Sequence, residues 1–123
     1  MLNDKLKYYV LSSEEKNTLL EKLKNILHGL SVELAVVFGS FVELDSFRDI
    51  DIAVYRRDTC LEDILKLGTM VEEALGYPVD IIPLDIISPR FRLHILTKSI
   101  VILEETSGLY EYFLKRSLDE LKP

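Results

Sequence analysis

Apolar residues recur along this chain in two rhythms. Leu19, Leu20, Leu23, Ile26, Leu27 and Leu30 stand at helical spacing, which gathers them on one face. Ser12 and Glu15 form a capping box ahead of them, and Gly29 offers a stop, so a helix is predicted over 13–28. Val32 to Phe38 is a short apolar run rich in β-formers and reads as a buried strand. Arg48 to Tyr55 reads as a second strand. Thr59 and Glu62 make another capping box, followed by the stripe Leu61, Ile64, Leu65, Gly68, Val71 and Leu75. That helix ends near Gly76, because Pro78 bars its continuation. Val79 to Leu84 is a third strand, and Pro83 predicts an edge position or a strand end. Ser88-Pro89 opens a helix that runs to about Ser99. Ile100 to Leu103 is a fourth strand. Leu109 to Leu121 is a terminal helix with Tyr110, Leu114, Leu118 and Leu121 on one face, and Leu109 and Phe113 beside them. Residues 1–11 show no clear period. The order α-β-β-α-β-α-β-α predicts an α/β domain, a mixed sheet of about four strands with helices packed on it.

Composition narrows the class. The 123 residues make one domain, 1–123, long enough for one core and too short for two. Apolar content of 48% and charged content of 29% suit a soluble globular chain. No apolar run approaches the ~20 residues of a membrane span. The first residues, MLNDKLKYYV, lack the apolar core of a signal peptide. A single Cys60 excludes an internal disulfide and fits a reducing, cytoplasmic setting. The net charge of −6 argues against a sequence-independent nucleic-acid binder, which needs a basic surface. It leaves room for a nucleotide whose phosphates are met through a metal ion.

The candidate chemistry lies between Val36 and Tyr55. Gly39-Ser40 follows the first strand, where a glycine lets backbone N–H groups approach a phosphate and a serine hydroxyl adds a donor. Phe41-Val42-Glu43 after it reads as a short helical turn. Asp49 and Asp51 stand two apart, so on a strand they share a face, with Cα atoms about 6–7 Å apart. Ile50, Ile52 and Val54 take the other face. Two like charges on one face of a central strand are costly unless a cation or a cluster of donors receives them. Asp80 brings a third carboxylate to the start of another apolar strand. Three acids at one sheet edge suit Mg²⁺, with hard oxygen ligands and substrate phosphates completing the shell. Two such ions would stabilise the attacking and leaving oxygens of a nucleotidyl transfer.

Gly39-Ser40, then eight residues, then Asp49-Ile50-Asp51-Ile52, then Val79-Asp80-Ile81-Ile82, resembles the minimal nucleotidyltransferases (MNT proteins) of the DNA polymerase β-like superfamily. The resemblance covers about residues 30–104, with flanking helices outside it. It implies a polymerase β-like nucleotidyltransferase fold and an ATP-binding transferase. It implies that Gly39 and Ser40 hold the triphosphate, that Asp49 and Asp51 bind Mg²⁺, and that Asp80 is a metal ligand and general base. Prokaryotic members commonly pair with a HEPN-type toxin. The MNT protein is then the antitoxin and transfers AMP from ATP to a toxin tyrosine. Two features depart from the family. The eight-residue spacer is shorter than usual, and Phe41-Val42-Glu43-Leu44 stands where a basic residue is common. Arg48, next to Asp49, is the candidate replacement for that phosphate contact.

Other readings stay open beside this one. An MNT-fold antitoxin can neutralise its partner by binding alone, and a small-molecule transferase would modify an antibiotic hydroxyl. The chain is too small to enclose an acceptor, so a partner or a second copy would supply that surface. The apolar loop of Phe41, Val42, Leu44 and Phe47, and the aromatics Tyr110 and Phe113 of the last helix, are candidate interfaces. Arg90, Arg92, His94 and Lys98 form the most basic stretch, suited to an anionic substrate or an acidic partner.

Overall fold

The computed structural model describes residues 7–123, so the first six residues of the aperiodic stretch 1–11 lie outside the described residues. The chain runs β1 (Tyr9–Val10), α1 (Ser13–Gly29), β2 (Leu34–Phe38), α2 (Ser40–Glu43), β3 (Ser46–Phe47), β4 (Ile50–Tyr55), α3 (Leu61–Leu75), β5 (Val79–Pro83), α4 (Pro89–Thr97), β6 (Ile100–Glu104) and α5 (Leu109–Glu120). Four strands form one mixed sheet in the order β5-β4-β2-β6. β2 is antiparallel to both β4 and β6, and β4 is parallel to β5. A parallel pair needs a crossover, which α3 provides. Pro83 closes β5 at the sheet edge, where its missing N–H costs no ladder bond.

Each face of the sheet is covered. Ala35, Val37, Ile50, Ile52, Val54 and Ile81 pack with Leu19, Leu23 and Leu27 of α1 and Ile64, Leu67 and Val71 of α3. On the other face Leu34, Val36 and Ala53 pack with Ile95, Leu96 and Phe113 from α4 and α5. The central strands are therefore buried on both sides, which is why Leu34–Phe38 is apolar without alternation. Ser12 caps α1 as its sequence predicts, accepting from the Glu15 N–H at 3.1 Å while the Glu15 carboxylate accepts from the Ser12 N–H at 2.9 Å. Among the described residues no helix is long and apolar enough to cross a membrane.

Several expectations need correction. The strand expected over 48–55 starts at Ile50, because Ser46 and Phe47 pair with Val10 and Tyr9 in a separate two-stranded ladder, and residues 48–49 turn between the two strands. Tyr9 stacks on Phe47 at 5.6 Å and meets the Tyr77 edge at 5.0 Å. Phe41 and Phe47 are buried, so most of the apolar loop belongs to the core and is not an interface; Leu44 is the exposed exception. The cap of α3 is Cys60 rather than Thr59, and the Asp63 carboxylate, not Glu62, accepts from the Cys60 N–H at 3.5 Å.

The last helix is rotated from its expected setting. Phe113 and Ser117 face inward, while Leu118 and Leu121 are exposed. The Tyr110 hydroxyl donates to the Leu96 carbonyl, so Tyr110 and Phe113 serve the packing of α5 on α4. The rotation has a cause in Arg92. This residue belongs to the expected basic surface, yet its side chain is only 1% exposed. Its Nε donates to Ser117 Oγ at 2.7 Å, another nitrogen reaches the Ile87 carbonyl at 3.4 Å, and a third pairs with Glu120. A guanidinium buried this way is tolerated only because each side of its fork has a partner.

Candidate active site

The strand β4 places an acid where its neighbours are apolar. Ile50, Ile52 and Val54 are buried beneath α1 and α3, so the alternation of the strand turns Asp51 to the opposite face. The ladder sets Asp51 opposite Phe38 on β2 and opposite Asp80 on β5. Asp49 lies one residue before β4 and is exposed, and Asp80 is exposed on the edge strand. The spacing alone makes Asp49 and Asp51 a pair on one strand; in the fold Asp49 belongs to the turn that leads into it.

Gly39 follows Phe38 and touches this group. Its backbone has φ +79° and ψ −154°, a conformation essentially confined to glycine. A Cβ on residue 39 would stand 2.3 Å from Asp51 Oδ2 and 3.3 Å from its Cγ. The glycine is thus required twice, for its dihedrals and for the space that the carboxylate fills. Ser40 is half-buried and opens the single turn α2, in which Gly39 and Ser40 carbonyls accept from Val42, Glu43 and Leu44. The short helical turn expected after Gly39-Ser40 is present.

The charges of the three acids act on one another. Burial raises the Asp51 carboxyl to about 6, and the neighbouring carboxylates of Asp80 and then Asp49 push it the same way. The three are not drawn together tightly: among the described residues no group of three or more His, Cys, Asp or Glu side chains is closed around a metal-sized space. Mutual repulsion favours that spreading. The donor chemistry nevertheless fits a divalent cation of the Mg²⁺ type, because all the donors are carboxylate oxygens and Asp51 carries negative charge that its surroundings do not offset.

Two further residues shape the site without having been legible in the sequence. Lys16 of α1 donates from Nζ to the carbonyls of Phe41 at 2.7 Å and Leu44 at 3.0 Å, and lies over the Phe41 ring at 5.0 Å. It ties the end of α2 to the body of the protein and so fixes the segment that follows Gly39-Ser40. Phe91 of α4 meets Phe38 edge-on at 6.4 Å, next to the Asp51 ladder position. Arg48 is exposed and its guanidinium lies 5.8 Å from the Tyr8 ring. A groove of about 180 Å³ runs along β5 to Asp80, floored by Gly68 and Thr69 of α3.

Comparison with known proteins gives the family and the fold. A family model described as polymerase beta, nucleotidyltransferase matches residues 21–107. The chain belongs to this nucleotidyltransferase family. The match takes in Gly39, Ser40 and all three carboxylates. Among solved structures, a toxin–antitoxin with AMP-PNP is 25% identical, with 81% of this chain and 84% of that one covered and a TM-score of 0.71. A tri-AMPylated HEPN toxin from Shewanella oneidensis in complex with an MNT antitoxin is 23% identical, covering 85% and 84%, with a TM-score of 0.69. The toxin–antitoxin MntA-HepT is 23% identical, covering 84% of each chain, with a TM-score of 0.68. These likenesses bear out the expected mixed-sheet nucleotidyltransferase fold. No curated protein sequence matches the chain.

Proposed function

We propose that this protein is a Mg²⁺-dependent adenylyltransferase that moves AMP from ATP onto a tyrosine of a HEPN-type toxin, and so acts as that toxin's antitoxin. The observation that carries the reading is the seating of Asp51 against Gly39 and opposite Asp80. It brings a backbone suited to a phosphate and an uncompensated group of carboxylates to one place. The solved relatives with AMP-PNP and with an AMPylated toxin supply the nucleotide and the acceptor class. Asp49, Asp51 and Asp80 would hold Mg²⁺, which supplies charge neutralisation for the phosphates. Gly39 and Ser40 hold the triphosphate with backbone N–H groups and the hydroxyl, and Arg48 adds a positive charge beside it.

The reaction balances without other reactants. The tyrosine oxygen bonds to the α-phosphorus, the bond from that phosphorus to the bridging oxygen breaks, and pyrophosphate leaves. The phenolic proton passes to a carboxylate. Asp80 suits this role, since it is exposed on the edge strand where an acceptor can reach it. Positioning and charge neutralisation then account for most of the rate.

One observation favours a second reading. Glu43, an acid, stands in the turn after Gly39-Ser40 where a basic residue would grip phosphate. An antitoxin acting by contact alone would tolerate it. Incubation with labelled ATP, Mg²⁺ and the product of the neighbouring gene, as the proposed HEPN-type toxin, separates the two. Label on the toxin that Asp49→Asn abolishes supports transfer. A tight complex that never takes up label overturns it in favour of contact.

A further inference from the structure

The carboxylates occupy one side of the sheet, and the other side ends at β6. This strand is laddered to β2 alone, so its outer N–H and C=O groups face away from the sheet. Edge strands of this kind are usually blunted by charge, proline or a bulge, and β6 carries a bulge opposite Ala35 and Val36. Here Ile100 and Val101 are 42% and 41% exposed, and charge appears only at the strand's ends. Two concavities along the edge share Lys24, Val101 and Ile102, and so form one continuous groove between β6 and α1.

The strand carries opposite charges at its two ends. Lys98 precedes Ile100-Val101-Ile102-Leu103, and Glu104-Glu105 closes it. We propose that this edge pairs with the same edge of a second copy of the chain, antiparallel, to make one continuous eight-stranded sheet. The antiparallel direction sets each Lys98 at the Glu104-Glu105 end of the other copy, twice by symmetry, and the apolar centre meets itself. The parallel direction would bring like charges together.

The faces agree for the outer pair, while at the bulge Val101, laddered to Val36, and Ile102, packed toward α1, take opposite faces. Ile100 is laddered to Val37 and Leu103 to Ala35, both part of the core beneath α1, because the register shift between Ala35 and Val36 absorbs the extra residue. Ile100 of one copy then meets Leu103 of the other on a common face. The acids are already held in place. Glu104 accepts from the Tyr110 N–H at 2.8 Å, and Glu105 pairs with His28. Ordering them costs little on association.

The proposal stands independently of nucleotidyl transfer. It is tested by sedimentation velocity of the full chain across a wide concentration range. The mass is expected to rise from 14.2 kDa toward twice that value, with a dissociation constant on the order of micromolar, as a short edge contact allows. Val101→Lys and Lys98→Glu should each weaken the dimer at least about tenfold, with unchanged circular dichroism. Combining Lys98→Glu with Glu105→Lys should restore it, which a different protein seated on the edge would not reproduce. A wild-type chain that stays monomeric throughout, a dimer indifferent to both single changes, or a folded double variant that stays monomeric overturns the proposal.

Discussion

Gly39 and Asp51 share one space: a methyl group on residue 39 would lie 2.3 Å from Asp51 Oδ2. Gly39→Ala therefore strains the backbone and displaces the carboxylate together. Urea unfolding should show a loss of about 1–3 kcal/mol from the strained dihedrals. ATP affinity, read by calorimetry, should fall at least about tenfold.

The raised Asp51 carboxyl makes stability depend on pH. Its value moves from 3.8 to about 6 on folding, so between these limits the folded chain keeps a proton that the unfolded chain releases. Unfolding free energy then falls as pH rises through this window, and the full cost is present above about 6. Asp51→Asn should stabilise the protein at pH 7.5 by about 1–2 kcal/mol, after discounting for solvent because the group is only half-buried. The gain should vanish near pH 4. Denaturant titrations at the two pH values check both statements.

The same group should set the pH profile of the reaction. Transfer is expected to decline as pH drops through about 6, and raising Mg²⁺ should move the midpoint lower, because the cation competes with the proton for the carboxylate. Initial rates of label transfer at several Mg²⁺ concentrations measure this shift. A midpoint that ignores Mg²⁺ would separate Asp51 from the metal.

Lys16 offers a test of the turn after Gly39-Ser40. Lys16→Met removes two hydrogen bonds to the α2 carbonyls while keeping most of the side-chain packing. The loss should be about 1–2 kcal/mol in stability. If the turn positions phosphate, KM for ATP should rise about threefold to tenfold with a smaller change in kcat.

Arg92 is held by Ser117, Glu120 and Ile87, and truncating it removes those bonds and a buried side chain, although Ser117 keeps the Phe113 carbonyl and Glu120 keeps Arg116. Arg92→Ala should cost about 2–4 kcal/mol in urea unfolding, from the void and the lost hydrogen bonds. Arg92→Met, which keeps the apolar stem, should cost less.

These residues also mark how far the sequence can be read. The four main strands and the helices α1, α3, α4 and α5 follow from periodicity and capping chemistry, because those signals are local; Asp51 and Asp80 lie on the strands expected to carry them, and Asp49 lies in the turn before β4. The setting of Arg92 did not follow, because a basic residue on a polar-looking helix face reveals nothing of Ser117 and Glu120, 25 and 28 positions away. Lys16 was hidden for the same reason, since its acceptors are backbone carbonyls that carry no sequence signal. The rotation of α5 followed from the Arg92 network, which outweighed the apolar stripe through Leu118 and Leu121. Phe41 and Phe47 were misplaced because the ladder of β1 with β3, two residues long, is below what alternation can reveal.

Asp80 stands exposed on the rim of the sheet, and this has a consequence for the timing of the proposed chemistry. An enzyme with its own lid dries the reacting groups before an acceptor is chosen. Here the acceptor protein would have to expel the water itself as it docks against the rim. The toxin would be both substrate and cover, and bound ATP would idle, unhydrolysed, until the correct partner closed the site.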